Sequence, residues 1–416
     1  MNGLDGMDPA LIRGMTQRRM SRRDLLRYTG VGAGALSLAA ILEACASSSS
    51  TTPGGSASAA GTFDWSAQHL NHVLNFANWP LYMDVSHGTH PTLDTFTQET
   101  GIKVNYSEVI NDNQEFYAKM QPFLQAGKPT PYDLMVLTNG AQLSELIANN
   151  WLIPLDLSRL PNFAKYASPL VKNPSYDPGN KYTITWQSGF TGIGYSPAAT
   201  QALGREPNSV KDLFDPRLKG HVGMMSDNTE LGSVGLLYLG IEPSTSTPDD
   251  WRKAAQVLQQ QKNEGIPRGY YGQPYIHELK DGNTWITQAW SGDIFIANQG
   301  SYPDLKFLVP QEGVMVWHDN MMIPAHAADP LDALTYMNYV YEPHVAALLA
   351  NYIWYVTPVP SAKPIVEKLP GGQSVASSPL VFPTPAMDQQ THQYYTFKGT
   401  SDLNEWNGIF DPIING

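Results

Sequence analysis

Between residues 72 and 149 the chain alternates a short apolar stretch with an amphipathic one three times over, and that order leaves few folds open. Residues 72–77, 103–109 and 133–137 read as strands, the second by its two-residue alternation. Residues 91–99, with Leu93 and Phe96 three apart, read as a helix running into Gly101. A second helix spans 113–125, with Phe116, Met120, Phe123 and Leu124 on one face, and a third spans 142–149. Strands that alternate with helices specify an α/β layer on a parallel or mixed sheet, whose ligand sites lie beyond the carboxyl ends of the strands. Those ends are where binding residues are expected.

The rest of the chain repeats the theme. Residues 151–180 read as surface loops, and 181–186 and 192–195 as two strands separated by Gln187-Ser188-Gly189-Phe190, where a first crossing between lobes is expected. Residues 222–225 form a strand ending in Ser226-Asp227-Asn228-Thr229-Glu230, followed by a helix at 231–238. A helix at 249–261 and a strand at 285–289 come next, and Trp290-Ser291-Gly292-Asp293 opens a further helix. Residues 305–309, 314–317 and 321–323 read as strands near a second crossing, 330–340 and 343–350 as a helical pair, and 351–357 as a loop returning to the cleft. About 355 residues are too many for one growing core and suit two lobes.

The first 62 residues belong to neither lobe. Arg18, Arg19, Arg22, Arg23 and Arg27 precede an apolar run at 31–42, which is too short to cross a bilayer, since about 20 residues are needed. Arg22-Arg23 followed by Leu25-Leu26 resembles a twin-arginine export signal, and Leu42-Glu43-Ala44-Cys45 resembles a bacterial lipobox. Cys45 is the single cysteine, so no intrachain disulfide can form. Residues 46–60 are nearly all Ser, Thr, Gly and Ala, a composition that cannot bury enough surface to fold. The expected layout is a signal peptide at 1–44 and an acylated Cys45 with a flexible tether to 62. Lobe I would then hold 63–187 plus about 294–322, and lobe II 188–293 plus about 323–416.

Once residues 1–44 are removed, 20 basic and 34 acidic residues remain, a net charge of about −14. Such a surface repels nucleic acid and favours a cationic partner at long range. The polar or aromatic residues at strand ends are Trp79, Thr138, Asp227 with Glu230, Trp290 with Asp293, and Asp319. Carboxylates beside aromatic faces suit ammonium groups, because the carboxylate accepts charge-assisted hydrogen bonds while the ring attracts the cation or packs on methylenes. Each Asp or Glu there also reads as an ordinary helix cap or first-turn acid.

Catalytic patterns are missing: no Gly-x-Ser-x-Gly elbow, Walker loop, His-Glu-x-x-His or nucleotide fingerprint follows a strand. His87-Gly88-Thr89-His90 reads as a solvated loop rather than a metal site. His318 and Asp319 are neighbours on a strand and so face opposite ways. No enzyme activity and no cofactor are expected.

The motifs Asn78-Trp79, Thr100-Gly101-Ile102-Lys103-Val104, Tyr132-Asp133-Leu134, Trp290-Ser291-Gly292-Asp293 and Val309-Pro310-Gln311-Glu312-Gly313 stand in one order, with Asp319 through Pro324 after them. In that order the chain resembles the spermidine/putrescine-binding proteins of bacterial ABC importers, from about Asn71 to Trp406. The resemblance implies an α/β, type II periplasmic-binding-protein fold: two lobes joined by crossover hinge strands that close on a ligand cleft. It implies that Trp79 covers the amine chain and that Thr138 stands on the first lobe's rim, with Gly140 where some members have a tyrosine. Asp227 and Glu230 match the pair that neutralises a terminal ammonium. Trp290 and Asp293 match the residues that hold the chain's middle or second amine, Asp319 matches a further pocket carboxylate, and Tyr355 lies on a closing loop.

By this resemblance the protein is expected to be exported, lipid-anchored or periplasmic, and to act as a single copy that captures a polyamine and delivers it to a membrane permease and ATPase. Three alternatives stand beside it. One is the same fold binding another organic cation or a metal. The others are a carbohydrate-active enzyme using Asp227, Asp293 or Asp319, and an adhesion protein. Tyr270 and Tyr271 are further aromatic candidates, at least one of them for the core.

Overall fold

The computed structural model describes residues 63–416; the expected signal peptide, Cys45 and the tether lie outside the described residues. The opening alternation builds a parallel sheet of β1 (Val73–Asn78), β2 (Lys103–Glu108) and β3 (Leu134–Thr138), with β1 in the middle. Helices Pro91–Thr100 and Asn113–Gln125 connect these strands, and Ala141–Ala148 follows β3. Helix Asn113–Gln125 starts at Asp112, whose carboxylate accepts the Glu115 N–H at 2.8 Å. It buries Phe116, Tyr117, Met120 and Leu124, whereas Phe123, expected on that face, is exposed. The buried stripe is centred between Met120 and Tyr117 at 100° per residue, so Phe123 falls past its edge.

β4 (Thr183–Tyr195) is the longest strand, buried along its whole length, and it pairs antiparallel with β9 (Val314–Met322). The register runs Thr183↔Met322, Ser188↔His318 and Thr191↔Met315, with a shift between Thr185 and Gln187. Sequence reading splits each of these strands in two. Both are continuous, and the polar residues that break the apolar pattern lie where the strands pass from one lobe to the other. A third strand segment joins them there, since Val356 and Ser188 exchange backbone hydrogen bonds of 2.8 and 2.9 Å.

On one side of this crossing β9 pairs antiparallel with β3. On the other, β4 pairs antiparallel with β7 (Ile286–Trp290), which continues in parallel to β5 (Val222–Met225) and then to β6 (Pro267–Tyr271). β8 (Lys306–Leu308) joins β4, and β10 (Thr391–Gln393) joins β9. Two α/β lobes with mixed sheets, joined by crossover strands, make up the type II binding-protein fold.

The chain is shared between the lobes differently from the boundaries expected above. Helix Ser291–Gln299 packs on β4, β7 and β8, so residues after 294 stay with the second lobe until β9. Helix Pro330–Tyr339 returns to the first lobe: Tyr336 meets Phe76 and Phe96 at ring distances of 5.2 and 5.1 Å, and Asp332 accepts the N–H groups of Asn71 and His72 at 3.0 and 2.8 Å. The last helix, Thr400–Asn415, packs on helices Asn228–Tyr238 and Pro248–Asn263 of the second lobe. The chain therefore crosses three times, and the polar spacing in the sequence marks only two of the crossings.

Candidate functional site

On the first lobe the site begins where β1 and β3 end. Trp79 follows β1, and its indole N–H donates to the Val136 carbonyl at 3.0 Å, which lays the ring against the core under helix Asn113–Gln125. Thr138 ends β3 and donates its hydroxyl to Asp319 Oδ1 at 2.7 Å. Tyr82 donates to Asp319 Oδ2 at 2.6 Å. Asp319, on β9, is only 6% exposed. Burial pushes its carboxyl up to about 6, against the pull of the Tyr82 and Thr138 hydroxyls.

On the second lobe Asp227 caps helix Asn228–Tyr238 and accepts the N–H groups of Thr229 and Glu230 at 2.8 and 3.0 Å. Water reaches Asp227 on one side while protein crowds the others. That crowding, followed by the charge of Asp112 on the first lobe, raises its carboxyl above the usual range. Glu230 is 8% exposed. Its Oε1 accepts from the Thr191 hydroxyl at 2.8 Å and from the Trp290 indole at 3.3 Å, while Oε2 is buried without a hydrogen-bond partner. Burial first and Asp227 second push Glu230 up to about 7, opposed by Thr191, Tyr394 and Trp290.

Trp290 ends β7 and stands edge-on to Tyr275, 5.5 Å between ring centres. The Tyr275 hydroxyl accepts the Trp290 N–H at 3.0 Å and donates to Asp293 Oδ2 at 2.9 Å. Tyr355 donates to Asp293 Oδ1 at 3.4 Å and covers Gly292, where a Cβ would lie 2.5 Å from its ring. Tyr355 also meets Trp317 and, from the first lobe, Tyr82, at ring distances of 5.4 and 5.8 Å.

The structure thus links Thr138, Asp319, Tyr355, Asp293, Trp290 and Glu230 into one polar and aromatic chain that spans both lobes. Trp79 stands beside it, held by Val136, and Asp227 stands at its solvent end. Glu230 is engaged by Thr191 and Trp290 inside the second lobe. Two residues that sequence reading did not single out make the links. Tyr82 is three positions past Trp79 in the same loop, a proximity that could have drawn notice. Tyr275 lies on helix Tyr275–Lys280, too short to leave a periodic signal. Tyr270 packs into the main core of the second lobe and Tyr271 against its smaller cluster.

Carboxylates held by hydroxyls and faced by rings have the chemistry to accept cations. The geometry offers little for bond-making. Ser188 Oγ and His318 Nδ1 lie 2.6 Å apart, yet both are buried in the crossing and His318 is lowered by burial to about 4, so its ring is neutral. Among the described residues no group of three or more His, Cys, Asp or Glu is placed to hold a metal ion.

The family profile of bacterial extracellular solute-binding proteins matches residues 92–382. The chain belongs to this family. It is therefore an extracytoplasmic solute-binding protein from a family of transport rather than of catalysis. This solute-binding protein is 28% identical over 342 residues to the putrescine-binding periplasmic protein SpuD of Pseudomonas aeruginosa, covering 79% of this chain and 87% of that one. It is 30% identical over 313 residues to the spermidine/putrescine-binding periplasmic protein of Escherichia coli, covering 73% and 82%. Among solved structures, the spermidine/putrescine ABC transporter substrate-binding protein PotD of Streptococcus pneumoniae superposes with a TM-score of 0.69 at 24% identity, over 82% of this chain and 98% of that one, a likeness of fold.

Proposed function

We propose that this solute-binding protein captures a polyamine such as putrescine or spermidine outside the cytoplasm and presents it to the permease and ATPase of an ABC importer. The observation that carries this reading is the set of carboxylates, Asp319 from the first lobe and Asp293 from the second, joined through Tyr82 and Tyr355 and walled by Trp290. Two acids on opposite lobes suit a ligand charged at both ends, and rings between them suit its methylenes. Asp227 and Glu230 extend the negative field beyond Trp290, and Trp79 adds an aromatic face on the first lobe. A buried carboxylate without its cation is costly, so the empty site favours an open, hydrated form and the ligand favours closure. The names of the relatives from Pseudomonas and Escherichia support the ligand class.

Calorimetry of residues 60–416 against putrescine, spermidine, spermine and choline tests this. A polyamine should bind at least tenfold more tightly than choline, about 1.4 kcal/mol; equal affinities, or none, would remove the polyamine. We further propose that Cys45 carries the lipid that anchors the protein. A mass spectrum of the membrane-extracted protein showing an unmodified Cys45 would exclude it.

A further inference from the structure

The family profile ends at residue 382, yet residues beyond it reach the site. β10 lies along β9, and the next residue is Tyr394, buried, with its hydroxyl donating to Thr191 Oγ1 at 3.4 Å, while Thr191 in turn donates to Glu230 Oε1 at 2.8 Å. Helix Thr400–Asn415 then returns to the helix that bears Glu230. Trp406 donates its indole N–H to the Asn228 carbonyl at 3.2 Å, and Asn228 Nδ2 donates to Asn407 Oδ1 at 2.9 Å and Asp411 Oδ1 at 2.7 Å. The Trp406 ring fills the space a side chain at Gly232 would take. One contiguous C-terminal tail therefore reaches the Glu230 carboxylate through Thr191 and holds its helix at the first residue.

Glu230 in turn accepts the Trp290 indole N–H. An ionised carboxylate is the stronger acceptor, so the charge of Glu230 governs how firmly Trp290 is held. The titratable groups facing Glu230 are Asp227 on its own helix and Tyr394 from the tail. β4 contributes the Thr191 hydroxyl, and β7 contributes Trp290 and Gln288, whose Nε2 donates to the Glu230 carbonyl at 3.1 Å. The groups set to stabilise its charge are thus neutral donors.

We propose that Tyr394 is a positioning residue of the ligand site: its hydroxyl, acting through that of Thr191, orients the Glu230 carboxylate, and Glu230 thereby fixes the indole of Trp290 as a wall of the cleft. This deepens the cation-binding reading above and rests on it only for the use made of Trp290.

The test uses the full, ligand-free chain with its indole nitrogens labelled. The Trp290 indole N–H resonance, identified by its loss in Trp290→Phe, is followed by NMR from about pH 5 to about pH 9. In the natural chain it should titrate with Glu230 and flatten in Glu230→Gln. Tyr394→Phe should move the midpoint upward by up to about one pH unit, because the Thr191 hydroxyl that donates to the charged form is no longer held and polarised by Tyr394. Should Tyr394→Phe fail to fold, Thr191→Val removes the hydroxyl shared by Tyr394 and Glu230 and should move the midpoint the same way. A resonance that does not titrate, or a midpoint unmoved in the variant while its Tm falls, would overturn the proposal. A moved midpoint in a chain that binds no polyamine would uphold Tyr394 and sink the ligand proposed above.

Discussion

Glu230 and Asp319 are acids that burial has moved toward neutrality, and the sign of that shift predicts how the empty protein responds to pH. An acid with a raised folded pKa binds more protons folded than unfolded, so its stability contribution is present below the unfolded value and is lost as pH rises through the folded one. For Glu230 and Asp319 that loss ends near 7 and 6. His318, lowered to about 4, acts the other way: its contribution is present above the ordinary histidine value and fades as pH falls toward 4. Above the ordinary histidine value the acids act alone, so ligand-free protein should gain Tm between pH 8 and about pH 6.5, and Glu230→Gln should flatten that rise. A Tm that falls over this interval in the natural chain would contradict the assignment. Asp293 carries a direct prediction too. Asp293→Asn should weaken polyamine binding by about 1.5–3 kcal/mol, as loss of a charged hydrogen-bond partner does, and unchanged calorimetric affinity would take Asp293 out of the site.

At the scale of elements, β4 and β9 join the lobes and also hold the rings of the site in place. Gly189 of β4 leaves the space that the Trp317 ring occupies, and a Cβ there would overlap that ring. Trp317 in turn backs Tyr355. Gly189→Ala should therefore cost about 1–3 kcal/mol of stability through overpacking, read as a lower denaturant midpoint, and should weaken ligand binding as Tyr355 is displaced. Wild-type stability would show that the crossing has room to yield. The bulge between Thr185 and Gln187 has a related consequence, since an extra residue in one strand re-aims the side chains beyond it. Past the bulge Ser188 meets His318, while Asp319 on the next residue of β9 faces Thr138 and Tyr82.

Over the whole molecule the charge is −12, and in the reading proposed above the acids of the site would focus that field on an approaching cation. Long-range attraction of this kind is screened beyond about 8–10 Å at physiological salt. The association rate of a polyamine measured by stopped flow should therefore fall as salt rises, with the dissociation rate changing less. A salt-independent association rate would mean that the acids act only at contact. Ligand at about 100 times Kd should also stabilise the folded chain by about 2.7 kcal/mol, observable as a higher Tm.

The alternation of strands and helices was legible in the chain because each element buries one face and so writes its own period. That determined the α/β class, and the strand ends marked Thr138, Asp227, Trp290, Asp293 and Asp319 as candidates. The continuity of β4 and β9 was not legible. Gln187, Ser188, His318, Asp319 and Asn320 are polar residues buried by partners from distant segments, and no local pattern announces such partners. For the same reason Tyr82, Tyr275 and Tyr394 gave no sign of their roles. Each acquires its place from a hydrogen bond across the fold, to Asp319, to Asp293 and to Thr191. Periodicity is a property of neighbours along the chain and can be read there. The pairing of charges and rings across the cleft is a property of neighbours in space, which only tertiary packing brings within a few ångströms.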